Sequence, residues 1–196
     1  MQPVPALPQL DGVAFRTFRD ESDYPHFARI ITAAAVGEAS DRVETVEGLS
    51  SAYDHLDRCD PKRDLLVAEV DGRPVGYSRL WWDQEADGPR IYRQVCFLDP
   101  VFGGRGIGSA LVAWNEQRLC EIAAEHDVPE KKLEAFANDR NAAAAALIRG
   151  AGYEPVTYEG AGHGFMRAGE APDANEPNKK AREEAWKRLK DLLKKI

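Results

Sequence analysis

Four glycines fall within six residues in the run Gly103-Gly104-Arg105-Gly106-Ile107-Gly108. An apolar stretch from Arg90 to Leu98 precedes it and ends at Asp99-Pro100. After it, Leu111, Val112, Leu119, Ile122 and Ala123 recur near helical spacing. A strand, a glycine-rich bend and a helix therefore follow one another. Glycine lets the backbone turn sharply and come close to a ligand. Successive N–H groups in such a bend point into one concavity, and the helix start adds its positive end. The loop from Leu98 to Ser109 thus predicts a cradle for an anion such as pyrophosphate. The plainer alternative is a tight strand-to-helix turn.

Two other phosphate motifs fail on spacing. A P-loop needs Gly-x4-Gly-Lys-Ser/Thr, and no lysine follows here. A dinucleotide fingerprint needs Gly-x-Gly-x-x-Gly, and after Gly106-Ile107-Gly108 this chain has Leu111, behind Ser109-Ala110, where the third glycine belongs.

The remaining chain reads as a mixed α/β domain. Val13 to Arg19 alternates as a first strand. Ser22 or Asp23 caps a helix reaching Val36, with Pro25 in its first turn and Gly37 as its stop. Thr45 caps a second helix with Tyr53 and Leu56 on its apolar side, and Pro61 closes that region. Leu65–Val70 and Pro74–Trp82, joined by Asp71-Gly72, form a hairpin. Asp83 to Pro89 is a polar loop. The helix of the glycine run spans about 108–125. A short strand (133–137), an alanine-rich helix (141–151) and two closing strands (153–158 and 163–167) complete the order β-α-α-β-β-β-α-β-α-β-β.

Residues 168–178 read as a linker. In the last segment Ala181, Ala185, Leu189, Leu192, Leu193 and Ile196 line one side of a helix. The expected organisation is residues 1–167 as one domain, the linker, and a basic amphipathic helix over 179–196 that reads as appended or engineered. Three roles stand for it: docking on the acidic body, binding a partner or a second copy, or lying on a membrane surface.

The net charge is −7 over 196 residues. Lys179 to Ile196 carries +5, which leaves −12 for the rest. Nucleic acid is therefore a poor partner, and a cationic amine a better one. Cys59, Cys96 and Cys120 make an odd, widely spaced set, and no His or Cys motif suggests a metal. The start of the chain lacks the features of a signal peptide, and no stretch is apolar for long enough to span a bilayer. A cytoplasmic setting is the expectation.

The run Pro100-x-Phe102-Gly103-Gly104-Arg105-Gly106-Ile107-Gly108 resembles the acetyl-CoA motif of the GNAT superfamily of N-acetyltransferases. Asn141-x-x-Ala144-x-x-Leu147 with Gly152-Tyr153 resembles that family's second motif, and both occur in the family's order. The resemblance covers about Val13 to Arg167. It implies a GNAT-like α/β fold: a mixed, mostly antiparallel sheet of about six or seven strands flanked by about four helices. It also implies acetyl-CoA as cosubstrate and no metal. Cys96, Phe97 and Leu98 would bind the pantetheine arm through their backbone. Amides of Gly103, Gly104, Arg105, Gly106, Ile107, Gly108 and Ser109 would hold the pyrophosphate, and Asn141 would touch the cofactor. The Leu98 amide would polarise the thioester carbonyl. Gly103 replaces the family's usual Arg or Gln, and Ile148 the tyrosine that protonates the leaving thiolate.

The implied reaction is direct acetyl transfer to a primary amine, on a small molecule or a peptide. The alternative is a catalytically degenerate domain that binds acetyl-CoA and scaffolds the C-terminal helix. Tyr92, Glu134 and His163 are the acid–base candidates. Each has a plainer reading: packing for Tyr92, surface charge for Glu134, an idle loop residue for His163. Trp81, Trp82 and Asp83 suit a cationic amine, or simply edge packing. Cys96 lacks a basic neighbour that would activate it.

Overall fold

The computed structural model describes residues 7–38, 40–84, 88–138, 140–153 and 175–193. The chain forms two compact units, Met1–Tyr153 and Glu154–Ile196.

The first unit is built on a five-stranded sheet in the order β1-β2-β3-β4-β5. Its strands are β1 (Val13–Thr17), β2 (Leu65–Val70), β3 (Arg73–Gln84), β4 (Arg90–Leu98) and β5 (Lys131–Ala135). β1 to β4 pair antiparallel and β5 joins β4 in parallel. A parallel neighbour needs a crossover, and helix α4 (Ile107–Ala124) supplies it. The Asp71-Gly72 turn has positive φ at both residues, 49° and 72°, the geometry that suits a two-residue hairpin.

Helices α1 (Tyr24–Gly37) and α2 (Val46–Asp54) cover one face of the sheet. Phe27, Ile30, Leu49, Tyr53, Leu65, Val67 and Tyr77 form the core there. The other face carries Leu66, Ala68, Leu80 and Tyr92 against Ile107, Leu111, Trp114 and Leu119 of α4. Period-two alternation along the strands separates the two cores. The Thr45 hydroxyl accepts from the Gly48 amide and caps α2 as the sequence suggests. Pro61 does not simply end a region. It is the first residue of a one-turn helix, α3 (Pro61–Asp64), capped by Asp60, because proline fits a helix start where no N–H partner is needed.

Helix α5 (Ala142–Gly150) follows β5, with Asn141 as its cap. The two expected closing strands fall at 154–158 and 163–167, outside the described residues. In the second unit, helix α6 (Glu176–Leu193) starts three residues earlier than its apolar pattern suggests. The Asn175 side chain accepts from the Asn178 amide there and draws the chain into the helix sooner. Among the described residues no helix is long and apolar enough to cross a membrane.

Candidate active site

β4 is nine residues long, but β5 accompanies it only from Arg90 to Gln94, opposite Ala135. From Val95 to Leu98 the strand keeps its partner β3 alone. The two strands part at Gln94 and leave four residues with an open edge. The Asp99 amide donates to the Val75 carbonyl of β3 at 2.9 Å. Amides alternate sides along an extended strand, so those of Leu98 and Cys96 point to the open edge.

The open edge leads into the glycine loop. A short 3-10 turn, Pro100–Phe102, is capped by the Asp99 side chain, and Arg29 of α1 holds the same carboxylate at 2.9 Å. Gly104 and Gly106 have φ of 74° and 79°, a left-handed backbone that side chains disfavour. Gly103 to Gly106 are exposed. α4 begins at once, and the N–H groups of its first turn have no partner within the helix. The amides of Val101, Phe102 and Gly103 are spent on the turn itself, that of Gly103 on the Pro100 carbonyl at 3.0 Å. Gly103 is therefore not the anion donor its motif suggests, and the donors lie on either side of the turn, at the strand edge and from Gly104 into the helix start.

Beneath the parting point runs a buried polar chain. The Ser78 hydroxyl donates to Asn115 Oδ1 at 2.8 Å, and both residues are fully buried. Asn115 Nδ2 donates to Gln94 Oε1 at 2.9 Å and to Cys96 Sγ at 3.4 Å. Gln94 Nε2 donates to the Tyr153 hydroxyl at 2.6 Å. Burial, eased by Gln94, pushes the Tyr153 phenol up to about 12, and Glu116 lies in hydrogen-bonding contact with it. Burial likewise raises the Glu116 carboxyl and pushes the Cys96 thiol up to about 12. Cys96 therefore stays protonated and is no nucleophile.

The family model of the GNAT acetyltransferases matches residues 33–153, more than half the chain. The chain belongs to the GNAT acetyltransferase family. Solved structures agree on the fold. A GCN5-related N-acetyltransferase from Sphaerobacter thermophilus is 20% identical with a TM-score of 0.66, over 77% of this chain and 45% of that one. This chain thus spans under half the length of that protein. A putative acetyltransferase from Salmonella typhimurium, solved with its cofactor acetyl-CoA, is 18% identical with a TM-score of 0.56, over 75% and 82%. A ribosomal-protein-alanine N-acetyltransferase from Brucella melitensis is 25% identical with a TM-score of 0.53, over 74% and 86%. No curated protein sequence matches significantly. A second family model, of the dienelactone hydrolases, matches residues 125–196. That stretch contains no serine or cysteine to act as a hydrolytic nucleophile. The GNAT match and the first compact unit end at the same residue, Tyr153.

Within this GNAT fold the sequence-derived candidates separate. Cys96, Phe97, Leu98 and the glycines lie along one line. Asn141 caps α5, accepting from the Ala144 amide and donating to Glu38, both at 3.0 Å. Its side chain thus braces α5 against the end of α1. Tyr92 is 1% exposed and about 20 Å along β4 from Leu98. Its hydroxyl bonds His126 Nδ1 at 2.9 Å, which makes it a core residue remote from the loop. Glu134 lies one residue before the parting point and pairs with Arg93 at 2.7 Å. Arg93 also holds Asp83, which accepts from the Trp81 indole at 3.2 Å. Trp82 packs on His126 at 4.5 Å, away from the open edge. His163 lies outside the described residues.

Sequence reasoning overlooked the Asn115–Gln94–Tyr153 chain. Its one visible signal was Tyr153 after Gly152, a polar-tipped ring directly behind a helix whose Ile148 lacks the usual phenol. The loop and open edge fit acetyl-CoA: the Cys96 and Leu98 amides are directed to the open edge, and Gly103, Gly104 and Gly106 are exposed. Arg105, beside Gly103, donates to the Asp11 carbonyl at 3.3 Å and lies 5.9 Å from the Phe102 ring.

Proposed function

We propose that this chain transfers an acetyl group directly from acetyl-CoA to a primary amine. The parting of β4 from β5 at Gln94, immediately before the glycine loop, is the observation that carries this reading. Bound acetyl-CoA would supply a thioester carbonyl for the amine to attack. Val95 to Leu98 hold the arm that bears it, by adding a strand-like partner to their open edge. The amides from Gly104 to Ser109 neutralise the pyrophosphate. The Leu98 amide faces the reacting carbonyl and stabilises the negative charge that develops on its oxygen.

Proton handling falls to residues at the parting point. Glu134 accepts the ammonium proton, directly or through water. Tyr153 replaces the phenol missing at position 148: it donates to the departing sulfur and recovers its proton from Glu116. The high pKa of Cys96 leaves an acyl-cysteine route without a nucleophile, which favours direct attack.

A thermal-shift titration with acetyl-CoA tests the cofactor site, and thiol release over an amine panel tests the transfer. At a hundredfold excess over Kd, stabilisation by about 2.7 kcal/mol is expected. Absence of a shift at millimolar acetyl-CoA rejects the reading.

A further inference from the structure

The α1/α2 face of the sheet holds two polar groups that the transfer chemistry does not use. Arg79 of β3 stands opposite Val95, the first β4 residue beyond the parting point. It is half-buried, with its guanidinium 5.7 Å from the Tyr53 ring and 5.2 Å from the Trp81 ring. Two aromatic neighbours restrict the fork on either side. Yet Arg79 has no carboxylate and no hydrogen-bond acceptor among the described residues. Other sheet arginines differ: Arg16 holds Asp23 and Glu69, and Arg93 holds Asp83 and Glu134.

The second group is the Tyr53 hydroxyl. Tyr53 is 9% exposed, and its buried oxygen finds no hydrogen-bond partner. The Tyr77 hydroxyl faces it without reaching hydrogen-bond geometry. Buried polar atoms without partners are uncommon. The Arg79 guanidinium lies over the Tyr53 ring, so a cationic fork and a phenol are neighbours on the side of β4 opposite α4. We infer that the acceptor amine carries a carboxylate, held by the Arg79 guanidinium and the Tyr53 hydroxyl.

The chemistry fits on both sides. A guanidinium fork matches a carboxylate through two parallel bonds. Burial raises the Tyr53 phenol far above its ordinary value, so it remains a donor at neutral pH. Beside Arg79, Trp81 lies parallel to Phe136, with ring centroids 6.2 Å apart, and Phe136 is 53% exposed. That pair offers an apolar wall to a side chain. The acceptor class is therefore an amino acid with an apolar or aromatic side chain, rather than a polycation. In the reaction the amine nitrogen bonds the acetyl carbon and the carbon–sulfur bond breaks. Of the three ammonium protons one stays on the amide, one balances the sulfur and one leaves to solvent.

This inference rests on the transfer reading, and two measurements separate them. The first is thiol release from acetyl-CoA with L-phenylalanine and with phenethylamine, which differ by the carboxylate alone. Phenylalanine is expected to be favoured at least tenfold in kcat/KM. R79Q should raise its KM at least tenfold and erase the preference, with the KM of acetyl-CoA within twofold of wild type. Equal use of both amines, or an equal loss for both in R79Q, overturns the carboxylate site. The second is thermal shift by the two amines at saturating acetyl-CoA, which reads the site even where no amine is turned over. A shift by phenylalanine alone, reduced in Y53F and lost in R79Q, supports it. No difference between the amines overturns it whatever becomes of the transfer reading.

Discussion

The two faces of β4 treat their polar groups in opposite ways. On the α4 face, Ser78, Asn115, Gln94 and Tyr153 form a closed chain in which each buried group meets another. On the α1/α2 face, Arg79 has no carboxylate partner among the described residues, and the Tyr53 hydroxyl meets only the Tyr77 hydroxyl, short of hydrogen-bond geometry. An unpaired buried polar group costs about 1–3 kcal/mol, whereas a paired one roughly breaks even or better. The Asn115 chain is thus complete as it stands and fixes α4 to the strands, although the Trp114 indole N–H in the same core finds no partner. The second face is complete only with a ligand.

The most decisive test removes the cofactor that both faces of the site would serve. Gly106 has a φ of 79°, and a Cβ there would meet Leu10 at 3.3 Å. Gly106→Glu adds strain, bulk and a negative charge where phosphate oxygens belong. The acetyl-CoA thermal shift should vanish, and with it the roughly 2.7 kcal/mol of ligand stabilisation. A shift that survives would move the cofactor away from this loop.

The next prediction breaks the closed face. Asn115→Leu removes the hub and leaves the Ser78 hydroxyl and Gln94 Oε1 buried without partners. Two orphaned groups suggest a loss of roughly 3–5 kcal/mol, read by urea denaturation. A loss under about 1 kcal/mol would mean the chain tolerates its own disruption and does not fix α4. The same substitution should leave the amine preference of the open face unchanged, because Arg79 and Tyr53 lie on the other side of the sheet.

Tyr153→Phe separates chemistry from structure on the closed face. It deletes one hydroxyl and the partner of Gln94 Nε2 while keeping the ring. A fall in kcat of about a hundredfold is expected, with little change in the KM of acetyl-CoA, as for loss of a proton donor. Since the phenol is pushed up to about 12, kcat of the wild type should show no alkaline limb from this group below pH about 10. A Tyr153→Phe enzyme with wild-type kcat would assign the leaving-group proton to solvent.

The sequence was most legible where one physical rule dominated. The glycine loop, the Asp71-Gly72 hairpin and the Thr45 cap each follow from local backbone demands, and β4 appears where its apolar run stands. Long-range pairings were hidden. Nothing in the spacing brings Gln94 to Tyr153 or Arg79 to Tyr53, because those distances are created by strand register and helix packing. Tyr92 illustrates the reverse error. Its alternation placed it correctly on a strand face but could not tell that the face ends in a core about 20 Å from the loop.

The smallest prediction sharpens the comparison at the far end of the closed face, where Tyr92 bonds His126 Nδ1. Burial, helped by Arg90, lowers the His126 pKa below its ordinary 6.5. The unfolded chain therefore takes up this proton at a higher pH than the folded chain does. Above pH about 7.5 both forms are neutral and the histidine contributes no pH dependence. As pH falls through the unfolded value, the unfolded state binds more protons and stability declines until the folded pKa is passed. Melting temperatures of wild type and His126→Gln compared from pH about 7.5 to about 5 isolate this contribution, since the carboxylates titrate alike in both proteins. The wild type should lose stability more steeply over that interval. Parallel curves would show that this end of the closed face accepts a charge without cost, and so is less complete than the Asn115 hub.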